Sequence, residues 1–326
     1  MRQGEYNELM EVLERAVSFA TYAHMPIRKV YSWNEGPAPE TTGEDYIDRI
    51  CRDLCTFPTM QAMLETYPEL SKINICGWDG LADGDIGQYI PSNKCVKINM
   101  NAASEDKIFA MHSVTMLHEF RHGMQDVEGV MNIRFDELFR NDLMYMLAYQ
   151  RVIEADATVF SIVNAYDAFL KDNYDPIISV GRTRGEATLA YMKEVDADRN
   201  AHWDGRAANE ALKAYFSKKN KNILRTYDVT TCEDVADLPL HKCFDFNADP
   251  EIRQMKQRMF ENYIKPLRRM PYMDKHGHMQ ERPHYMSGIN FKPQALVRNL
   301  SPDVNYSLIK LRLRDLSMAP EPSSAP

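Results

Sequence analysis

The sequence predicts an α+β protein that is mostly helical, with a few short strands ahead of a long helix and a helical C-terminal lobe. Three observations carry this. Only 14 of the 326 residues are Gly, whereas Ala, Leu, Glu, Lys and 20 Met favour helix. Two β-like runs, Lys72–Trp78 and Lys94–Met100, stand near each other, and in the second Val96, Ile98 and Met100 alternate with Lys97 and Asn99 as in a half-buried strand. Beyond them, residues 105–127 and 135–170 read as two long helical regions.

Taken in order, residues 5–24 place Leu9, Val12, Leu13, Ala16, Phe19 and Ala20 at helical spacing and end before Pro26. Residues 33–42, rich in Pro, Gly and Thr, form a loop, and a helix follows over 45–54. Between the two strand-like runs, GLADGDIGQYIPSN carries turn signals. Ser104 caps the next helix, with Glu105 and Asp106 in the first turn where the helix dipole favours anions, and that helix stops near Gly129. Asp175-Pro176 and Asp249-Pro250 read as helix starts, and further helices are expected over 185–196, 205–218 and 250–268. Tyr272–Pro293, crowded with His, Pro and Gly, reads as loop. The division expected is a core over 1–172, a helical lobe over 173–317 and a disordered tail over 318–326.

Composition narrows the function. The apolar content of 44% and charged content of 26% are those of a globular chain rather than a disordered or fibrous one. No run of about 18 apolar residues occurs, so no membrane span is expected. The N-terminal segment lacks an uninterrupted apolar core, and six scattered Cys form no paired CxxC set. Both point to a cytoplasmic protein with reduced thiols. A net charge of −8 disfavours nucleic acid as a partner. Residues 251–314 are nevertheless basic, with 13 Lys/Arg against 5 Asp/Glu, and so either bind an anionic partner or dock on the acidic remainder.

One segment dominates the chemistry: Met116-Leu-His-Glu-Phe-Arg-His-Gly-Met-Gln-Asp126, which contains HExxH as His118-Glu119-Phe120-Arg121-His122. With 9 His and 22 Glu in this chain, chance supplies about 0.02 such motifs. On a helix His118 and His122 point the same way and can reach one cation. Glu119, rotated about 100°, can accept a proton from metal-activated water. Two imidazoles and an open position suit Zn²⁺, one per chain. Phe109, Met116, Phe120 and Met124 form a stripe that buries this helix. Asp126, one turn after His122, is either a rival ligand or a partner that orients an imidazole.

These residues resemble the zincin metallopeptidases, in which a small mixed sheet precedes the HExxH helix and its edge strand aligns the peptide substrate. Gly87-Gln-Tyr-Ile-Pro followed by Cys95-Val-Lys-Ile-Asn is similar to that edge-strand region. Residues 72–160 are also similar to an uncharacterised family of metallopeptidases in bacteria and phages. A metzincin would carry a third His six residues after His122, where this chain has Glu128. The gluzincin pattern instead implies a Glu on a later helix, and Glu154 in Arg151-Val-Ile-Glu-Ala-Asp-Ala157 fits it. That context is similar to the Glu-Ala-Asn sequence of phage-immunity regulatory peptidases. Asp156 follows by two residues rather than the four of the common gluzincin pattern, and on a helix it would face away from Glu154.

A buried carboxylate needs a cation, and Arg151 on the same helix is the alternative to a metal for Glu154. Zincins also place a Tyr, His or Arg opposite the metal to stabilise the oxyanion, and His276, His278, His284 and Tyr285 are the candidates here. The function expected is thus a zinc-dependent metallopeptidase acting on a peptide or protein, in a narrow version on one partner protein. The alternatives are a zinc hydrolase of a non-peptide amide and a non-catalytic metal-containing binding or regulatory protein. The retention of Glu119 argues against the last, because a structural site needs no general base.

Overall fold

Alternation and β-branching in two short runs produce the centre of a small sheet. A computed structural model describes residues 29–32, 46–78, 86–99, 106–139, 142–217, 228, 231 and 250–297. The expected helix over 5–24, the loop over 33–42, the Ser104 cap and the tail over 318–326 lie outside these residues. Strands β1 (Lys29–Ser32), β2 (Asn74–Trp78), β3 (Gly87–Ile90) and β4 (Cys95–Asn99) form a mixed sheet in the order β1-β2-β4-β3. β2 and β4 run parallel, and both outer pairs are antiparallel. Ile75, Val96 and Ile98 are fully buried. The sequence pattern locates β2 and β4; β3 falls in the stretch with turn signals and is marked only by the zincin resemblance, and β1, like β3, has four residues, too few to show a period.

The β3–β4 hairpin matters most for function. It turns through the 3-10 segment Pro91–Asn93 and Lys94, whose φ of 48° closes the loop back into β4. Among the described residues β3 is an edge strand, paired in register Gly87↔Ile98 and Tyr89↔Val96. The Asn99 N–H donates to the Ile86 carbonyl at 2.8 Å. Antiparallel alternation then directs the main-chain groups of Gly87 and Tyr89 away from β4.

Helices α1 (Tyr46–Cys55) and α2 (Pro58–Thr66) precede the sheet's second strand, and α3 (Asp106–Val127) carries HExxH. α3 packs on β3 and β4. A side chain at Gly87 would put its Cβ 2.5 Å from Thr115 Cγ2 and 3.1 Å from the Lys97 carbonyl. Glycine there allows the helix to approach the edge strand. α4 (Leu143–Phe169) is buried on nearly all sides, as its apolar sequence requires. It begins later than the helical spacing from residue 135 predicts. Asp136 accepts the Leu138 N–H at 2.9 Å and turns the chain, and Asp142 caps the helix by accepting the Tyr145 N–H at 3.4 Å.

The remaining helices are α5 (Asp175–Thr183), which begins at the expected start, α6 (Gly185–Ala197), α8 (Arg206–Tyr215) and α9 (Pro250–Ile264), near their predicted bounds, and the short α7 (Asn200–Asp204), which the sequence pattern does not mark. The segment read as loop over 272–293 instead opens with a hairpin, β5 (Pro271–Met273) and β6 (Met279–Glu281), and α10 (Pro293–Leu296) follows. Its turn is local polar chemistry: Asp274 Oδ1 accepts the N–H groups of His276 and His278, and Gly277 adopts a φ of 76°. β6 is exposed throughout, so no apolar alternation marked it. Among the described residues no helix is long and apolar enough to cross a membrane.

Two compact units can be distinguished, the first within 1–129, 155–215 and 267–288, the second within 130–154, 216–266 and 289–326. α4 is continuous across residue 154. The first unit holds a polar clamp. Asp167 lies 3.0 Å from His202 Nε2 and accepts the Thr59 N–H at 3.1 Å, while Tyr191 O–H meets His202 Nδ1 at 2.5 Å. Burial pulls the His202 imidazole below its ordinary range, against the pull of Asp167 beside it. Arg282 ties the post-hairpin segment to this clamp through the His202 carbonyl and Thr59 Oγ1, each at 3.0 Å. In the second unit Phe139, Tyr145 and Phe260 pack edge to face at centroid distances of 5.2 and 5.5 Å.

The close approach at Gly87 yields a stability prediction. Gly87→Ala should lower stability by about 1–3 kcal/mol, read as a lower urea midpoint, because neither Thr115 Cγ2 nor a strand carbonyl can yield cheaply. An unchanged midpoint would contradict this packing.

Candidate metal centre

The i, i+4 spacing on α3 sets His118 and His122 over each other with ring centroids 4.8 Å apart and planes at 84°. Their Nε2 atoms face each other at 3.2 Å. Two nitrogens held about 2.0–2.1 Å from one zinc at the tetrahedral angle lie about 3.3 Å apart, so the donor spacing fits that ion. Glu154 of α4 completes the group: one ligand atom from each of the three lies within 4.8 Å of the others, and all three residues are buried. Among the described residues, no other His, Cys, Asp or Glu cluster of this kind occurs.

The alternative partner for Glu154 is excluded by where Arg151 points. Its guanidinium binds Asp228 through Nε at 2.8 Å and Nη2 at 2.5 Å, and donates to the Leu296 carbonyl at 2.7 Å. Gln150, one turn before Glu154, instead donates to Glu154 Oε1 at 2.9 Å.

Glu119 points elsewhere, as its rotation of about 100° requires. Its Oε2 accepts the Tyr89 N–H at 2.7 Å, the outward-facing amide of the edge strand. The Tyr89 phenol in turn donates to Asp126 Oδ2 at 2.9 Å. Burial, then the bond to Asp126, pushes that phenol above its ordinary range. Asp126 is thus engaged by the edge strand rather than by an imidazole in any bond described. Glu128, at the metzincin position, accepts a bond from Tyr67 O–H, and burial raises its carboxyl despite Arg121.

Asp156 faces away from Glu154, as the i, i+2 spacing predicts, and enters a fully buried network. Its Oδ2 accepts from Arg121 Nε at 2.7 Å and Gln125 Nε2 at 2.8 Å. Its Oδ1 accepts from Arg121 Nη2 at 3.2 Å and from Tyr285 O–H. Gln125 Oε1 lies 2.8 Å from His122 Nδ1. Burial alone would pull the Arg121 guanidinium down, yet Asp156, Glu128 and Tyr285 hold it above its ordinary value. Burial and the Asp156 charge push the Tyr285 phenol well above its own.

Of the four oxyanion candidates, Tyr285 therefore joins the site only through Asp156, while His276, His278 and His284 are exposed. The basic character expected over 251–314 is partly turned inward: Lys256 donates to Asp142 at 3.0 Å, and Arg282 is buried. Three contributors went unrecognised in the sequence: Arg121, Gln125 and Tyr89. Arg121 and Gln125 sit among apolar residues on a helix whose stripe predicts burial, and a polar residue in such a stripe is the signal that could have found them.

A buried donor set of two imidazoles and one carboxylate, with Glu119 next in sequence to His118, is one that could hold a metal ion for hydrolysis. Residues 32–242, well over half of the chain, match the family described as "Putative metallopeptidase family (DUF6782)", and the chain belongs to that family. No curated protein and no solved structure matches it. The matched span contains His118, Glu119, His122, Gln125, Glu154 and Asp156, whereas Tyr285 lies beyond it.

The Asp156 network makes two acidic neighbours of the motif separable. Asp156→Ala should cost about 3–5 kcal/mol, because it strands the Arg121 charge in the interior. Asp126→Ala, which removes one bond from a half-buried group, should cost about 1 kcal/mol. Equal losses in urea unfolding would contradict this assignment.

Proposed function

We propose that the protein is a zinc-dependent peptidase of gluzincin-like architecture, in which His118, His122 and Glu154 hold one Zn²⁺ and Glu119 is the general base. The observation that carries this reading is the convergence of those three donors within 4.8 Å, with Glu119, next in sequence to His118, bonded instead to the edge strand. Zinc, when bound, supplies a Lewis acid that acidifies water and polarises a carbonyl. Glu119 accepts the proton of the attacking water and passes it to the leaving amine.

The edge strand supports a peptide as substrate. Gly87 and Tyr89 direct main-chain groups outward from β3, and an extended peptide can add to such an edge. Glu119 reaches that same edge through the Tyr89 N–H, so a scissile bond aligned on β3 would lie next to the base. A non-peptide amide would make no use of this register.

Purified protein should carry about one zinc per chain, and His118→Ala should lose it. Glu119→Gln should retain zinc and fold while cleavage of a fluorogenic peptide library falls by roughly 10²–10⁴-fold. Cleavage by Glu119→Gln at the wild-type rate would contradict the assignment of the base.

A further inference from the structure

We propose that Gln125 is a positioning residue that fixes the tautomer and orientation of His122, with Asp156 fixing Gln125 in turn. The inference rests on the metal-centre reading given above and adds a residue to it.

The argument follows hydrogen-bond direction. Asp156 is a carboxylate paired with Arg121, and both residues are fully buried. A carboxylate only accepts, so the group of Gln125 that meets it at 2.8 Å must be the donating amide nitrogen. The same side chain then has its carbonyl oxygen toward His122, 2.8 Å from Nδ1. An amide oxygen only accepts, so Nδ1 carries the proton. In the neutral imidazole that a metal requires, the lone pair is then on Nε2, the nitrogen that faces His118 Nε2 at 3.2 Å. Reversing the amide would set its carbonyl against the Asp156 carboxylate, a repulsion in a buried site. Arg121 and Tyr285 hold Asp156 from its other sides, so the carboxylate cannot turn to accommodate the reversal. The direction of every bond is therefore set by the Arg121–Asp156 pair, and Gln125 transmits it one helical turn back to the imidazole.

A role in filling space and a role in orienting His122 rank two substitutions oppositely. Gln125→Met keeps the volume and apolar packing but offers no acceptor. Gln125→Glu, protonated beside the Asp156 carboxylate, donates its O–H where the amide N–H stood and keeps a carbonyl acceptor for Nδ1. Zinc affinity would be measured by competition with a chromogenic chelator on stripped and reloaded protein. Gln125→Met should bind about 10–100-fold more weakly than wild type, and Gln125→Glu should stay within about threefold of it. Wild-type affinity in Gln125→Met, or weaker binding by Gln125→Glu than by Gln125→Met, overturns the proposal while leaving the metal centre intact. A wild-type protein that takes up no zinc overturns the metal centre itself and this proposal with it. Independently of any variant, long-range ¹H–¹⁵N spectra of metal-free wild type should show the Nδ1–H tautomer at His122. The Nε2–H tautomer there would overturn the assignment.

Discussion

The buried pair of Arg121 and Asp156 is the interaction on which the site's order depends. Taking a guanidinium and a carboxylate out of water costs several kcal/mol per ion, and attraction between them offsets that only with good geometry and full hydrogen bonding. Both conditions are met. The pair is bidentate, at 2.7 and 3.2 Å, and Gln125 and Tyr285 occupy the remaining acceptor capacity of the carboxylate. It joins the HExxH helix to the helix that follows it, and it reaches the segment after the β5–β6 hairpin through Tyr285. A buried network of this kind specifies one arrangement, because any partial rearrangement leaves a charge without a counterpart.

One helix distributes the chemistry by rotation. At about 100° per residue, α3 sends His118 and His122 toward Glu154, Glu119 toward the edge strand, and Arg121 and Gln125 toward Asp156. The two unspecified positions of HExxH are therefore not idle here. Phe120 fills the core, and Arg121 anchors the motif to α4. Gly87 permits the closeness between the helix and β3 that lets a Glu119 oxygen reach the Tyr89 amide at 2.7 Å.

What was legible in the sequence was what is encoded locally. Two of the four sheet strands, the bounds of α3 and the convergence of His118 with His122 follow from periodicity over a few residues, while β3 is legible only through resemblance. Glu154 was legible through resemblance and through the cost of a buried carboxylate. Spacing alone left Arg151 as its partner, and only the position of Asp228, 77 residues along the chain, resolves that. Tyr285 is legible in the sequence only as a candidate oxyanion donor; its bond to Asp156 spans 129 residues, and no local pattern encodes it. The start of α4 was misjudged because apolar spacing continued through residues that Asp136 and Asp142 turn and cap. The β5–β6 hairpin reads as loop in the sequence because strands of three residues are too short to carry alternation.

The account stands most directly on the ligand set, and X-ray absorption at the zinc edge of purified protein reads that set. Two imidazoles with oxygen donors at about 2.0–2.1 Å are predicted, and the oxygen contribution should change in Glu154→Ala. A sulfur shell near about 2.3 Å, or a shell with a single imidazole, would contradict the assignment of His118, His122 and Glu154.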